Sequence, residues 1–462
     1  MDDVGAILAV IDVAMREIAL FAAFGFLLLG LGDLAIDLIW LGRNLWRRAT
    51  IYRRHPRADA TTLPPPARPG GIAIFVPAWD EADVIGAMLR NALAAWDKGD
   101  HRIYVGCYPN DPATIDAVRT IADPRVRLVI GPVPGPTTKA CCLNRLWEAM
   151  VADEVAEAFR FKAVALHDAE DVVHSAELHV FDSLIERFGL VQLPVLPMID
   201  ANSRWIAAHY ADEFAESHGK ELVVREALGA SIPSAGVGCA FARDALAEIA
   251  GERGLPFDAE SLTEDYELGL RLHALGHRSA FVRLPAAAGR RLVVTKEYFP
   301  STIEAAVNQK CRWMIGIALS GWDRMGWRGG LAERWMRLRD RRSVLAAVLL
   351  VAGYAALLLW TGLWLAEMLI GYRPAPIEPP LKTLLMINAG LLTWRLAMRA
   401  GFVTQVYGWR EGLRSVPRVV IGNAIAMLAA RRAITGYARR RSGGASRWDK
   451  TAHAFPAIVP AE

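Results

Sequence analysis

Residues 344–366 form an apolar run without one charged side chain, and no other feature limits the fold as much. A helix of ~20 residues crosses the ~30 Å hydrocarbon layer of a membrane, so this run is long enough to span it. Arg337, Arg339, Arg341 and Arg342 precede it. Basic flanks favour the cytosol, so the segment, about 344–368, is expected to enter from that side. The proline-rich turn 374–380 would then face the periplasm. A second run, about 381–403, is interrupted by Arg395 and Arg399. It is counted as a crossing because it returns the basic tail to the cytosol.

Near the N-terminus, residues 18–41 form another span, without a small-residue cleavage site, and read as an anchor rather than a signal peptide. Asp2 and Asp3 before it, and Arg43, Arg47 and Arg48 after it, place the N-terminus outside. Asp33 and Asp37 are four residues apart and share a helix face. They either line a path for glycan or lipid, or lie near the cytosolic interface within reach of Arg43 and other basic residues. Residues 419–430 are apolar but too short to span. They read as an interfacial helix with Arg414, Arg418, Arg431 and Arg432 as its basic edge.

A hydrophobic fraction of 53% with 15 Trp fits a catalytic domain carrying a few membrane helices. Arginines cluster at 43–54, 324–342 and 395–442, each beside an apolar run. That is the pattern of membrane flanks, and it argues against a nucleic-acid partner. The five cysteines have no CxxC spacing and fall in the part read as cytosolic, where they would stay reduced.

Between the first and second spans the text is ordinary α/β. Residues 71–76, 103–108, 126–130, 163–166 and 190–195 are short apolar runs that read as strands, with helical spacing between most of them. The alternation predicts a mostly parallel sheet with helices on both faces. Ligands bind such sheets at the carboxyl ends of strands, at a switch in strand order.

The polar motifs fall at those ends. In His167-Asp168-Ala169-Glu170-Asp171, the carboxylates emerge together from a buried strand. They could satisfy a helix N-terminus, or hold a divalent metal against a diphosphate through hard oxygen ligands. Thr263-Glu264-Asp265 precedes helical text and, taken bare, could be a cap with an acidic first turn. Gln309, Arg312 and Trp313 stand at i, i+3 and i+4 and share one helix face. The Arg312 fork suits a diphosphate, and Trp313 offers a flat surface to a sugar. The same residues also suit a plain interfacial helix. Asn110-Asp111-Pro112 is a common turn sequence. The glycines of 234–238 match neither a Walker loop nor a dinucleotide fingerprint.

In this order, Pro77-Ala78-Trp79-Asp80-Glu81, Lys139-Ala140-Cys141-Cys142-Leu143-Asn144, Asp168-Ala169-Glu170-Asp171, Thr263-Glu264-Asp265 and Gln309-Lys310-Cys311-Arg312-Trp313 resemble the membrane-embedded family 2 glycosyltransferases. That group holds the cellulose, chitin and hyaluronan synthases, and the resemblance runs over about 70–316. The text Tyr108-Pro109-Asn110-Asp111-Pro112-Ala113-Thr114 and Trp448-Asp449-Lys450-Thr451 is most similar to the glycosyltransferase of the bacteriophage adsorption protein B family. That family is the inner-membrane part of a phage receptor and glycan secretion system.

The resemblance implies an anchor at 1–48 and a cytosolic GT-A (Rossmann-like) domain at 49–300 with a mixed, mostly parallel sheet. QxxRW interfacial helices would follow at 301–342, two crossings at 343–405 and a basic cytosolic tail at 406–462. It implies inverting transfer of a hexosyl or N-acetylhexosaminyl group from a nucleotide sugar, UDP-linked by preference, to a growing exopolysaccharide. Asp265 becomes the base, with Glu264 beside it. Mg²⁺ or Mn²⁺ would sit on Asp168 and Glu170, where the family's DxD reads DxE, or on Asp168 and Asp171. Pro77 and Glu81 would border the base and ribose, Asp111 would read the uracil, and Lys139 with Asp168 would meet the donor. Gln309, Arg312 and Trp313 would serve the diphosphate and the acceptor, and the 234–238 loop the acceptor side.

Two alternatives stand beside this reading: single transfer to a lipid-linked acceptor, and a non-catalytic receptor scaffold. Three crossings are few for a synthase that exports its polymer alone. A homo-oligomer, or an outer-membrane or periplasmic secretion partner, is therefore expected.

Overall fold

A computed structural model describes residues 2–441 and 454–456. The motif Trp448-Asp449-Lys450-Thr451, and with it much of the expected tail, lies outside the described residues.

The strands are β1 (Ile72–Pro77), β2 (His101–Cys107), β3 (Val126–Ile130), β4 (Ala163–Leu166), β5 (Leu190–Gln192), β6 (Val195–Met198), β7 (Cys239–Ala242), β8 (Ser279–Phe281) and β9 (Thr295–Tyr298). Seven of them form one sheet in the order β3-β2-β1-β4-β7-β5-β8. β1 pairs in parallel with β2 and β4, and β7 runs antiparallel between β4 and β5. This is the mixed, mostly parallel sheet expected. Every residue of β1 is buried, as a parallel strand covered on both faces requires. Ile72, Ile74 and Val76 pack on one side with Ile85, Met88 and Leu89 of the helix Ile85–Ala95. Ala73 and Phe75 face the other side with Leu143, Leu146 and Met150 of the helix Lys139–Ala156. A period of two thus divides one apolar run between two cores.

The chain steps outward from β1 to β2 and β3, then returns to β4 on the opposite side of β1. The crevice at that reversal lies beyond Pro77 and Leu166, at the carboxyl ends of both strands. The expected single strand 190–195 is two strands. Pro194, which has no N–H to donate, separates them. β6 leaves the main sheet and pairs with β9 in a second, two-stranded sheet.

Three helical stretches among the described residues are long and apolar enough to cross a membrane: Val4–Ala49, Ser343–Ile370 and Trp409–Arg439. The expected crossing at 381–403 is a helix, Pro379–Tyr407, but is not one of the three. Arg395 and Arg399 lower its apolarity, and they pair with Asp33 and Glu216. The short interfacial helix expected at 419–430 is part of one 33-residue helix, Trp409–Arg441. Its inner face, Ile425, Ala429, Ala430 and Ala433, packs on Tyr210, Phe299 and Ile315. Part of its basic edge turns inward: Arg418 is buried against Asp212 at 3.2 Å and Glu411 at 2.6 Å.

The N-terminal helix, Asp2–Ala49, extends past the 18–41 anchor at both ends. Arg16 pairs with Asp12 at 3.1 Å and donates to the Pro376 carbonyl at 2.9 Å, so this end meets the proline-rich turn. Further along, Asp33 pairs with Arg339 at 3.0 Å and also with Arg342 and Arg395. Asp37 is buried, pairs with Lys220 and accepts from Trp394 Nε1 at 2.8 Å. Both aspartates thus meet basic residues, as one of the two readings expected, although these are Arg339, Arg342, Arg395 and Lys220 and not Arg43. At 1.5 Å per residue, Asp12 and Asp33 stand roughly 32 Å apart, about one hydrocarbon thickness.

Candidate active site

Beyond β4 the backbone turns, and His167 carries the turn. Its Nδ1 lies 2.7 Å from Asp171 Oδ2 and its Nε2 lies 2.9 Å from Glu177 Oε1, with all three side chains fully buried. Burial alone would lower the imidazole pKa, but Glu177 and Asp171 outweigh it and raise it to about 10. A cation between two carboxylates fixes the loop. Asp171 Oδ2 also accepts from the Asp168 N–H at 3.1 Å. Asp171 Oδ1 is buried and has no hydrogen-bond partner among the described residues.

Asp168 is half-buried and pairs with Lys139 Nζ at 2.5 Å. Lys139 opens the helix Lys139–Ala156, whose first turn is capped by Thr138 Oγ1 accepting from Cys141 N–H at 3.2 Å. Burial opposes the lysine's charge, but Asp168, Glu264 and Asp265 together hold its pKa above the ordinary value. Four sequence-identified residues thus share one electrostatic field.

Asp265 sits in the first turn of the helix Glu264–Ala274. Thr263 makes no side-chain cap bond, so the plain capping reading of this motif is not what the helix uses. Asp265 Oδ1 accepts from the Tyr266 N–H at 2.8 Å. Gly236, at φ +78°, approaches it so closely that a Cβ there would stand 2.5 Å from Oδ2. The 234–238 loop therefore borders Asp265, and only glycine suits that position. Burial raises the Asp265 pKa, against Lys139 and Arg312. Burial and then Asp265 push Glu264 up to about 7.

Arg312 reaches this field from the helix Ile303–Trp313. That helix is tied down by Lys310, which meets both Glu213 oxygens at 2.6 Å. After Trp313 the helix widens into a π-helical segment, Met314–Ser320, and Gly316 there lies against Thr263. Such segments recur at functional sites. Trp313 packs edge-on to Tyr210 at 5.9 Å. Gln309 Oε1 is buried without a hydrogen-bond partner.

Pro77 closes β1 and is buried. Asp111 caps the helix Pro112–Arg119, accepting from Thr114 N–H at 3.2 Å, and its other oxygen accepts from Asp80 N–H at 2.6 Å. Asp80 has φ +56°, so this carboxylate holds a strained turn. Glu81 follows, buried, with its N–H on Thr114 Oγ1 at 2.9 Å. Trp79 and Tyr108 meet edge-to-face at 5.1 Å beside the turn.

One residue of the site escaped the sequence. Glu297 on β9 has its pKa pushed far above the carboxylate range by burial, then by Asp171 and Asp168. No motif marks it. The pairing of β9 with β6 brings it in. Lys139 faces Asp168, Glu264, Asp265 and Glu297, Arg312 acts on Glu264 and Asp265, and Asp171 is held by His167. Among the described residues no group of three or more His, Cys, Asp or Glu side chains closes around a metal position. Carboxylate oxygens are the donors a hard divalent cation takes, and the buried Asp171 Oδ1, without a hydrogen-bond partner among the described residues, fits such a donor.

A GT-A sheet with acidic residues at its switch point, and with Lys139 and Arg312 beside them, defines a glycosyltransferase. The chain belongs to glycosyltransferase like family 2, whose model matches residues 69–316. It is 37% identical over 475 aligned positions to bacteriophage adsorption protein B of Escherichia coli (strain K12). It is equally similar to bacteriophage N4 adsorption protein B of Escherichia coli O157:H7. Each alignment covers 96% of this chain but 63% of the relative, so the chain spans less than two thirds of their length. Among solved structures, the mannosyltransferase PcManGT from Pyrobaculum calidifontis, in complex with GDP-Man and Mn2+, shares the fold. Its TM-score is 0.52 at 16% identity, over 92% of this chain and 99% of that one.

Proposed function

We propose that the chain transfers a hexosyl or N-acetylhexosaminyl group, with inversion, from a nucleotide sugar to a growing glycan. The reaction would run at the cytosolic face of the bacterial inner membrane, and the product would be an exopolysaccharide for secretion. One observation carries the reading: Asp265, its basicity raised by burial, shares a field with Lys139 and Arg312.

The acceptor hydroxyl attacks the anomeric carbon as the bond from that carbon to the diphosphate oxygen breaks. The hydroxyl proton passes to the Asp265 carboxylate, and the electron pair leaves with the nucleoside diphosphate. Lys139 and Arg312 offset the charge that develops on the leaving group. Gly236 keeps the acceptor side narrow against Asp265. Asp168, with Glu170 or Asp171, would hold a bound Mn²⁺ or Mg²⁺, which supplies further charge neutralisation at the diphosphate. Mn2+ in the mannosyltransferase complex supports this assignment by analogy of fold.

Uridine is favoured as the donor base through the family resemblance around Asp111, although the archaeal neighbour carries GDP-Man. The crossings are read as the N-terminal helix, residues 343–370 and residues 379–407, with the N-terminus and the proline-rich turn on the periplasmic side. The contacts of Arg16 and Asp12 with that turn support a shared side. A lipid-linked acceptor, a secretion partner and a homo-oligomer all suit this membrane setting.

The deciding experiment is product analysis after incubation with labelled UDP- and GDP-sugars. A glycan lengthened from one donor supports the proposal. A single sugar on a lipid carrier would replace chain extension by lipid loading, and no transfer from any donor would leave a receptor scaffold.

A further inference from the structure

A separate cavity of about 980 Å³ lies across β9 from the carboxylates. Along a strand, successive side chains face opposite sides. Glu297 feels Asp168 and Asp171 on one side, while Lys296 lines the cavity on the other. The Lys296 backbone is bonded both ways to Val172, at 2.8 and 3.0 Å, directly after Asp171.

The cavity walls are apolar, with Leu196, Phe214 and Phe281 among them. Its polar lining is one-sided. Arg43, Arg47 and Arg48 come from the end of the N-terminal helix, Arg57 from the segment after it, and Arg283, Arg290 and Arg291 from the catalytic domain. Glu226 is the one lining carboxylate among the described residues, and its Oε1 accepts from the Phe281 N–H at 3.1 Å.

Arg43 and Arg47 are half-buried, and Arg48, Arg57, Arg283, Arg290 and Arg291 stand exposed at the rim. Among the described residues, none of the seven cavity arginines has a carboxylate within ion-pair distance. Two of them crowd one ring: Arg57 and Arg47 lie over Tyr52 at 4.6 and 5.1 Å. Arg47 Nε is buried without a hydrogen-bond partner. So many cations with so little counter-charge call for an anion.

The position says which kind. Trp40 to Arg48 follow Asp33 by roughly 10–22 Å along the helix. Trp40 is thus nearest the headgroup layer, which extends roughly 5–7 Å beyond the hydrocarbon, and Arg43, Arg47 and Arg48 stand on its aqueous side. Trp40 and Leu41, with Val406 from the end of the Pro379–Tyr407 helix, border the side nearest the membrane segments. Aromatic and basic residues in this arrangement mark the headgroup layer.

We propose that this cavity binds the phosphoryl headgroup of an anionic membrane lipid. The proposal rests on the N-terminal helix lying in the membrane, and it is independent of the donor assignment.

Native mass spectrometry of the full chain in detergent, with phosphatidylglycerol and phosphatidylcholine in competition, tests it. The expected preference for phosphatidylglycerol is at least about tenfold, as charge-assisted contacts allow. Arg57→Gln with Arg283→Gln should bring that preference close to unity. Arg290→Gln with Arg291→Gln, at exposed positions that leave the core untouched, should lower it a few-fold. Nucleotide affinity should stay within twofold in both variants. Equal retention of the two lipids by the unmodified chain, or an unchanged preference in both variants, would overturn the proposal. So would competition by inorganic phosphate or pyrophosphate as strong as that of the lipid, which would make this a soluble-anion site.

Discussion

Both halves of the catalytic domain contain buried ion pairs, His167 with Asp171 and Glu177 in one and Arg418 with Asp212 and Glu411 in the other, but they differ in what joins their elements. The donor half, β1 to β4 with its helices, is a pair of apolar layers packed around buried parallel strands. The acceptor half brings together the Glu264–Ala274 helix, the Ile303–Trp313 helix and the last helix from distant parts of the chain. There, buried ion pairs lie at the junctions. Lys310 meets Glu213, Arg225 meets Asp340, and Arg418 meets Asp212 and Glu411. Apolar burial is non-directional and tolerates small shifts. A buried ion pair adds little net stability, but removing one partner costs about 3–5 kcal/mol, so it penalises misalignment. The half that holds Asp265, the proposed base, is the half whose helix junctions carry these directional contacts. If this division is functional, damage to the donor half should appear in nucleotide binding and damage to the acceptor half in turnover.

The largest effect should come from the donor side. Excess chelator is expected to abolish transfer, with Mn²⁺ or Mg²⁺ restoring it. Full turnover in chelator would remove Asp168, Glu170 and Asp171 from any metal role and leave Lys139 as the main countercharge to the diphosphate.

Next comes Asp265→Asn, which keeps shape and removes the proposed base. Turnover should fall by at least ~10²-fold, the usual worth of a general base. Calorimetric titration should find nucleotide affinity within a few-fold of the unmodified chain. Loss of both together would erase the distinction between the halves, and near-normal turnover would move the base to Glu264, Glu267 or Asp171.

The pH dependence sharpens the same line. Burial raises both Glu264, to about 7, and Asp265. A raised carboxylate holds its proton to higher pH, so the base form is lost as pH falls through the raised value. Turnover should therefore drop about tenfold per pH unit on the acid side of neutrality, and nucleotide binding should change less. Glu264, held protonated to about 7 by burial and by Asp265, is already neutral where Asp265 titrates, so Glu264→Gln should leave the limb in place. A limb at pH 4 in the unmodified chain would mean that burial is not felt.

The donor half was also the more legible in sequence, and the reason is physical. Residues 72–76 and 163–166 are short apolar runs, and in a doubly wound sheet the polar residues after such runs fall at the site. Asp168 could be placed that way, whereas Lys139 and Asp111 came from the family resemblance. Asp265 and Arg312 were found through the family resemblance, since cap and interfacial readings fit them equally well. Glu297 carried no local signal, because a four-residue strand paired with β6 across a hundred residues of chain has no periodicity to detect. The last helix was misjudged for a related reason. Arg418 looks like a solvent-facing edge until Asp212 and Glu411 are brought to it by the tertiary fold.

The smallest expected effect is also the finest test, at Asp111. Resemblance assigns it to the donor base, while its two oxygens already accept from Thr114 N–H and Asp80 N–H. Asp111→Asn can keep one of these bonds. Its amide NH₂ would then face the other N–H, donor against donor, and release either the cap or the strained Asp80 turn. Asp111→Ala loses both bonds, and loss of a cap alone costs about 0.5–2 kcal/mol. If the turn shapes the base site, nucleotide affinity should fall in the order Asp, Asn, Ala, with roughly tenfold between the extremes. Turnover at saturating donor should stay within a few-fold, because Asp265 lies in the other half. Equal affinity in all three would make Asp111 a helix cap only. A fall in saturated turnover to match the loss of affinity would show that the Asp80 turn and the Asp265 helix are coupled, and the division between donor and acceptor halves would not hold.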